Sequence, residues 1–221
     1  MSDDSFIREV NEEMRKDQAK ALWDRYGPIA LAAAVLVILL TAAYVGYDYW
    51  VETRANSSGD RFSQALQLAN EGKHDEALGA LQALEADGYG AYPILARLRA
   101  ATVLAARGDT AGAVSGFDVV ASDSSIPSSL RDMARLRAAF LLVDSGTYDD
   151  VAARVETLTA DTNALRHSAR EALGLAAWKE GRATDALSLF EQIAADEQAP
   201  QNSRQRATLM AELIQGSGAA S

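Results

Sequence analysis

Five arginines recur in one phase along the chain: Arg61, Arg97, Arg135, Arg170 and Arg206, spaced 36, 38, 35 and 36 residues apart. A guanidinium presents a planar fork of donors that matches a carboxylate or phosphate, so a row of them could form a strip that reads anions. The alternative is that each stem packs on the next helix while its head pairs with a local acid. Other reactive side chains are sparse. Of the two histidines, His74 falls in a turn and His167 at a helix start, and neither has a second histidine or a carboxylate at ligand spacing on one face. Gly88-Tyr89-Gly90 reads as a turn and not a phosphate loop, because no Gly-Lys-Ser/Thr follows. Cysteine is absent, which excludes thiolate catalysis, disulfides and cysteine-based zinc sites. The carboxylates are scattered over helix surfaces without a nucleophile and base set. The expectation is a protein with no enzymatic activity, no metal and no cofactor.

The formal net charge of −10 argues against nucleic acid as a partner, since no basic excess exists to displace counterions from a phosphate backbone. Alanine and leucine are abundant and only four prolines occur in 221 residues, a composition that favours helices. The elements that position the arginines must therefore be sought among helices.

One helix is of a different kind. From Gly27 to Tyr47 the chain carries no charge, and 21 residues rise about 31 Å, close to the thickness of a bilayer core. Trp23 and Tyr26 precede this stretch, and Tyr47 and Trp50 close it, where interfacial aromatic belts belong. Pro28 suits the first turn of such a helix. A cleavable leader is disfavoured by the long acidic stretch ahead of it. Within twenty residues, Arg8, Arg15, Lys16, Lys20 and Arg25 stand on the N-terminal side, against Arg54 and Arg61 on the other. That bias predicts a cytoplasmic N-terminus and a translocated C-terminal part. Residues 4–25 read as a helix capped by Asp4 or Ser5, with Phe6, Ile7, Val10 and Met14 as an apolar stripe that could dock on a partner or on headgroups.

Beyond the apolar stretch the chain repeats. Gly72, Gly108, Gly146 and Gly181 each end a helical run, which predicts a φ > 0 reversal at each. Ala65, Ala101, Ala139 and Gly174 fall in one column, small enough for two helices to approach closely. A second column holds Ala77, Ala113, Val151 and Ala186, a third Leu81, Phe117, Val155 and Phe190, and a fourth Leu84, Val120, Leu158 and Ile193. This is the pattern of tetratricopeptide repeats, with Arg204–Ile214 as a capping helix over the last apolar face. At the arginine column such repeats usually carry an aromatic or aliphatic residue instead.

The expected fold is therefore all-α: an N-terminal transmembrane helix, then a tetratricopeptide-repeat-like α-solenoid of about four helix pairs and a C-terminal cap. The expected division is an arm over 1–26, the span over 27–47, a joint over 48–59 with its break at 56–59, the repeats over 60–214, and a frayed tail over 215–221. Ligands of such solenoids meet the face made by the first helix of each pair. On it fall Phe62, Leu66, Leu95, Leu98, Met133, Leu136, Phe140, Leu175 and Trp178. This largely apolar face suits unfolded or membrane-protein segments, or is simply core in a tightly wound solenoid.

The stretch FIREVNEEMRKDQAKALWDRYGP, the adjoining apolar helix, the repeats and the string RHSAREALGLAAWKEGRATDAL resemble the YfgM-like family over nearly the whole chain. The family comprises single-pass bacterial inner-membrane proteins with a periplasmic tetratricopeptide-like domain. The resemblance implies association with the SecYEG translocon, cooperation with a membrane-anchored periplasmic peptidyl-prolyl isomerase chaperone, and contact with emerging client proteins. It carries no catalytic residues. The function it implies is a scaffold or holdase; the alternative is an envelope-assembly or cell-division adaptor that binds one folded partner.

Overall fold

The computed structural model describes the backbone of residues 3–219 and the side chains of Glu12 and of residues 14–219. The Phe6, Ile7 and Val10 stripe and its Asp4 or Ser5 cap lie outside the described side chains. The chain forms two units, Met1–Asn56 and Ser57–Ser221. Its first helix, α1, runs Asp3–Asn70 with Pro28 inside it. Two expectations change here. Pro28 is an interior residue and not a first-turn residue, and the joint over 48–59 is helical, with no break at Asn56–Gly59. Missing its N–H, Pro28 leaves the carbonyl four residues back without its helical donor. Within the first unit an 18-residue window reaches a mean hydropathy of 2.5 with none of it buried, which makes this helix a candidate membrane span and separates it from the core helix of a soluble domain.

The second unit is built from the end of α1, then α2 (His74–Asp87), α3 (Tyr92–Ala106), α4 (Thr110–Ser122) and α5 (Ser128–Ser145). There follow α6 (Tyr148–Val155) with one 3-10 turn over Glu156–Leu158, α7 (Arg166–Lys179), α8 (Ala183–Ala195) and α9 (Gln201–Gly216). Each helix from α2 onward packs on its successor, and α7 also touches both α5 and α9. No strand occurs among the described residues. The result is four helix pairs with α9 as the lid.

All sixteen residues of the four repeat columns are buried. The small column decides how closely paired helices approach. A Cβ placed on Gly174 would lie 3.0 Å from the Phe190 ring, so the two helices of repeat four meet with no room for a side chain there. Three of the four glycine turns share one geometry. Gly72, Gly108 and Gly181 have φ of +77°, +90° and +75°. In each turn the residue after the glycine donates to a carbonyl five positions back: Lys73 to Leu68 (3.0 Å), Asp109 to Leu104 (2.9 Å) and Arg182 to Ala177 (2.9 Å). Gly146 departs from the expectation, with φ −103° and ψ −173°. There the following helix is started by a capping box instead: the Asp150 N–H donates to Thr147 Oγ1 (3.2 Å) and the Thr147 N–H to Asp150 Oδ2 (2.9 Å). That bond holds the Asp150 carboxyl below its ordinary range.

Candidate protein-binding groove

The residues expected on the first-helix face fall into three environments. Met133 and Phe140 on α5 are both 38% exposed. Phe62, Leu66, Leu95, Leu98, Leu175 and Trp178 are half-buried. Leu136 is only 7% exposed and belongs to the core with Ala139, Val151 and Leu173, so it cannot touch a partner. The face is thus open chiefly at the third repeat. A depression of about 420 Å³ lies there, lined by Thr102, Ala105, Phe117, Arg137, Phe140 and Leu141. A wider one of about 800 Å³ runs along α4 beside Leu142 and Ser145. Its one carboxylate, Asp118, is already clamped by the Arg154 guanidinium at 3.1 and 2.7 Å.

The five phased arginines hold protein carboxylates. Arg61 pairs with Asp87 at 2.8 Å. Arg97 bridges Glu85 (2.9 Å) and Asp123 (3.2 Å). Arg135 pairs with Asp132 at 2.9 Å, Arg170 with Asp161, and Arg206 with both oxygens of Glu171 at 2.8 and 2.9 Å. A guanidinium whose charge is already matched by a carboxylate gains less from another anion than an unmatched one does. The signal for part of this was in the sequence. Asp87, Asp123, Asp161 and Asp196 each lie 26 residues after a phased arginine. The first two arginines take those partners. In the last two repeats the pairing slips: Asp161 goes to Arg170 of the next repeat, and Asp196 goes to Arg166 and His167.

Around this last cluster lie three of the four buried polar or charged side chains among the described residues, Ser58 being the fourth. Arg166, His167 and Arg170 are all buried. Asp196 Oδ2 accepts from Arg166 Nε at 3.0 Å and lies 2.7 Å from His167 Nε2, while its other oxygen accepts the Gln198 N–H at 2.9 Å. The His167 contact, then that backbone N–H and Arg166, push the Asp196 carboxyl far below its usual range. Arg166 Nη2 also donates to Gln198 Oε1 at 2.9 Å. The cluster ties the start of α7 to the loop before α9. His74 begins α2, its Nδ1 buried without a partner. No group of three metal-ligating side chains occurs among the described residues.

The residues expected at a membrane boundary, Trp23, Tyr26, Tyr47 and Trp50, are all exposed. Arg25 lies over the Tyr26 ring at 5.5 Å and Arg54 over the Trp50 ring at 4.7 Å, and Tyr47 stacks on Trp50 at 6.3 Å.

A family model described as a tetratricopeptide repeat-like domain matches residues 20–215, nearly the whole chain. The chain belongs to that family. No curated protein and no solved structure matches it closely enough to add a relative. Tetratricopeptide-like repeats are typically non-catalytic scaffolds that bind proteins, and the exposed part of the first-helix face is where such a scaffold would receive one. One feature of that face was missed by reading the sequence in columns. Leu95, Arg99 and Thr102 on α3 superpose in phase on Met133, Arg137 and Phe140 on α5, each 38 residues later. Arg99 and Arg137 lie only two positions from the phased arginines, yet on a different face.

Proposed function

We propose that this chain is a membrane-anchored scaffold of the YfgM-like kind, with α1 crossing the bacterial inner membrane, its N-terminus in the cytoplasm and the repeats in the periplasm. In this reading it accompanies the SecYEG translocon, holds emerging secreted or membrane proteins loosely, and passes them to a periplasmic peptidyl-prolyl isomerase chaperone. The observation that carries it is the pair of exposed apolar side chains on α5, Met133 and Phe140, the second of which lines an open depression on the helix face that scaffolds of this family present to partners. Tethering supports a loose grip: an anchored groove meets passing chains at high effective concentration, so weak affinity suffices. The bias of Lys and Arg around the apolar stretch supports the orientation.

A photo-crosslinker placed at Phe140 in the full-length protein in cells tests this. The expected products are many different exported chains together with channel subunits. Capture of one folded protein at fixed stoichiometry would overturn the holdase reading in favour of an assembly adaptor. Protease added to spheroplasts is expected to degrade residues beyond the span; a protected C-terminal part would reverse the orientation.

A further inference from the structure

Thirteen arginines lie in the second unit, and nine of them form ion pairs with carboxylates of the described residues. The other four are Arg99, Arg131, Arg137 and Arg204. In a protein with ten more formal negative charges than positive, a guanidinium without a carboxylate is the unusual case, because acids are available on most surfaces. Two of these four, Arg99 and Arg137, occupy the same phase of α3 and α5. Arg137 lines the depression with Phe140, and its Nη1 donates only to Thr102 Oγ1, at a long 3.3 Å. Arg99, one turn before Thr102, donates only to the side-chain oxygen of Asn70, also at 3.3 Å, and its Nε is buried with no acceptor. Both partners are neutral. The floor beside Arg137 is apolar, formed by Ala105, Phe117 and Leu141.

We infer that this groove selects peptide segments in which a large apolar side chain is flanked by a carboxylate: the apolar group enters beside Phe140 and the carboxylate exchanges the weak neutral contacts of Arg137 and Arg99 for charge-assisted ones. The inference rests on the protein-binding reading above and adds the chemistry of the partner. Its basis is charge complementarity. Ion pairs to a guanidinium are stronger than its bonds to a hydroxyl or an amide, and a carboxylate brought by the partner meets no competing acid on Arg99 or Arg137. The phased arginines, each already paired with a carboxylate, would add less to this selectivity. The wider depression along α4 offers no such contrast, since its single carboxylate is neutralised by Arg154.

The test uses the full chain in lipid nanodiscs and three fluorescein-labelled ten-residue peptides read by anisotropy. One carries two phenylalanines among aspartates, one the same phenylalanines among lysines, and one the aspartates with serine in place of phenylalanine. The first is expected to bind at least tenfold more tightly than either of the others, and to weaken as salt is raised. The double variant Arg99→Gln with Arg137→Gln should abolish that preference while its melting temperature stays within a degree or two of the parent's. Arg131→Gln should change neither. Equal binding of the aspartate and lysine peptides, or a preference that survives the double variant, overturns the inference. So does binding of the serine peptide as tightly as the first. If all three fail to bind while the Phe140 crosslinker still captures exported chains in cells, the selectivity is wrong and the scaffold reading stands; loss of both removes the scaffold reading as well.

Discussion

In repeat four, Arg166, His167 and Arg170 are buried and hold Asp196 and Asp161, and Phe190 is sealed against Gly174. Across repeats two and three, Arg99 and Arg137 hold no carboxylate, and Phe140 stands more than a third exposed. The same residue types thus occur in two conditions within one solenoid. Where the cation is buried and matched, as in Arg166 and Arg170, and the aromatic is enclosed, as in Phe190, they set the geometry of the stack. Where both are open and unmatched, they remain available to a partner. A residue's type does not decide which condition it meets; its phase on the helix does.

The phenylalanines give the sharpest way to break this contrast. Phe190→Ala leaves a cavity among Ala186, Ile193 and Ala177 and is expected to cost about 3–5 kcal/mol by thermal or denaturant unfolding. Phe140→Ala is expected to cost about 1 kcal/mol or less while weakening capture of client chains. If the two variants lose equal stability, the open groove is not open in solution. Next in size is Gly174→Leu, which must displace the Phe190 ring from 3.0 Å and is expected to cost about 1–3 kcal/mol. An unchanged melting temperature would mean that the helices of repeat four do not meet there. A smaller effect is expected at the irregular turn of repeat three. Thr147→Ala removes the acceptor for the Asp150 N–H and should cost about 1 kcal/mol, with fraying at the start of α6 seen by hydrogen exchange.

The stack itself was legible because its columns obey one rule each. Ala65, Ala101, Ala139 and Gly174 must be small, and Leu81, Phe117, Val155 and Phe190 must be large, whatever the rest of the sequence does. Three glycine turns followed from φ alone. Gly146 escaped because Thr147 and Asp150 supply a second way to start a helix, and the capping box takes over from the glycine. The uninterrupted α1 was not legible, since Asn56-Ser57-Ser58-Gly59 resembles a joint by composition. The structure keeps these residues helical, with Ser58 Oγ accepting from the Tyr89 N–H at 3.0 Å and the Tyr92 hydroxyl so close to Gly59 that a Cβ there would lie 2.8 Å from it. Local propensity is a weak prior against tertiary contacts of that kind. Ion pairing was legible for Arg61 and Arg97, whose acids lie 26 residues on. It failed for Arg135 and Arg170, because α6 is only eight residues long and a 3-10 turn carries the chain on, which delivers Asp161 to the following repeat.

The smallest predicted effect concerns acid, and it isolates repeat four from the groove. Asp196 has a folded-state pKa below its ordinary value because His167, the Gln198 N–H and Arg166 all favour the carboxylate. Such a group stabilises the fold at any pH above its unfolded value of about 3.9, and the stabilisation is lost as pH falls from there toward the folded value. The melting temperature should therefore be insensitive to Asp196 between about pH 5 and 8 and drop below about pH 4. Asp196→Asn keeps an acceptor for Arg166 but cannot titrate, so its melting temperature should start slightly lower at neutral pH and fall less steeply in acid. The Arg99→Gln, Arg137→Gln double variant touches no carboxylate and should reproduce the parental acid slope. Were the double variant to flatten the slope as Asp196→Asn does, the groove arginines would be paired with acids of the protein after all, and the contrast between the two regions would collapse from the groove side.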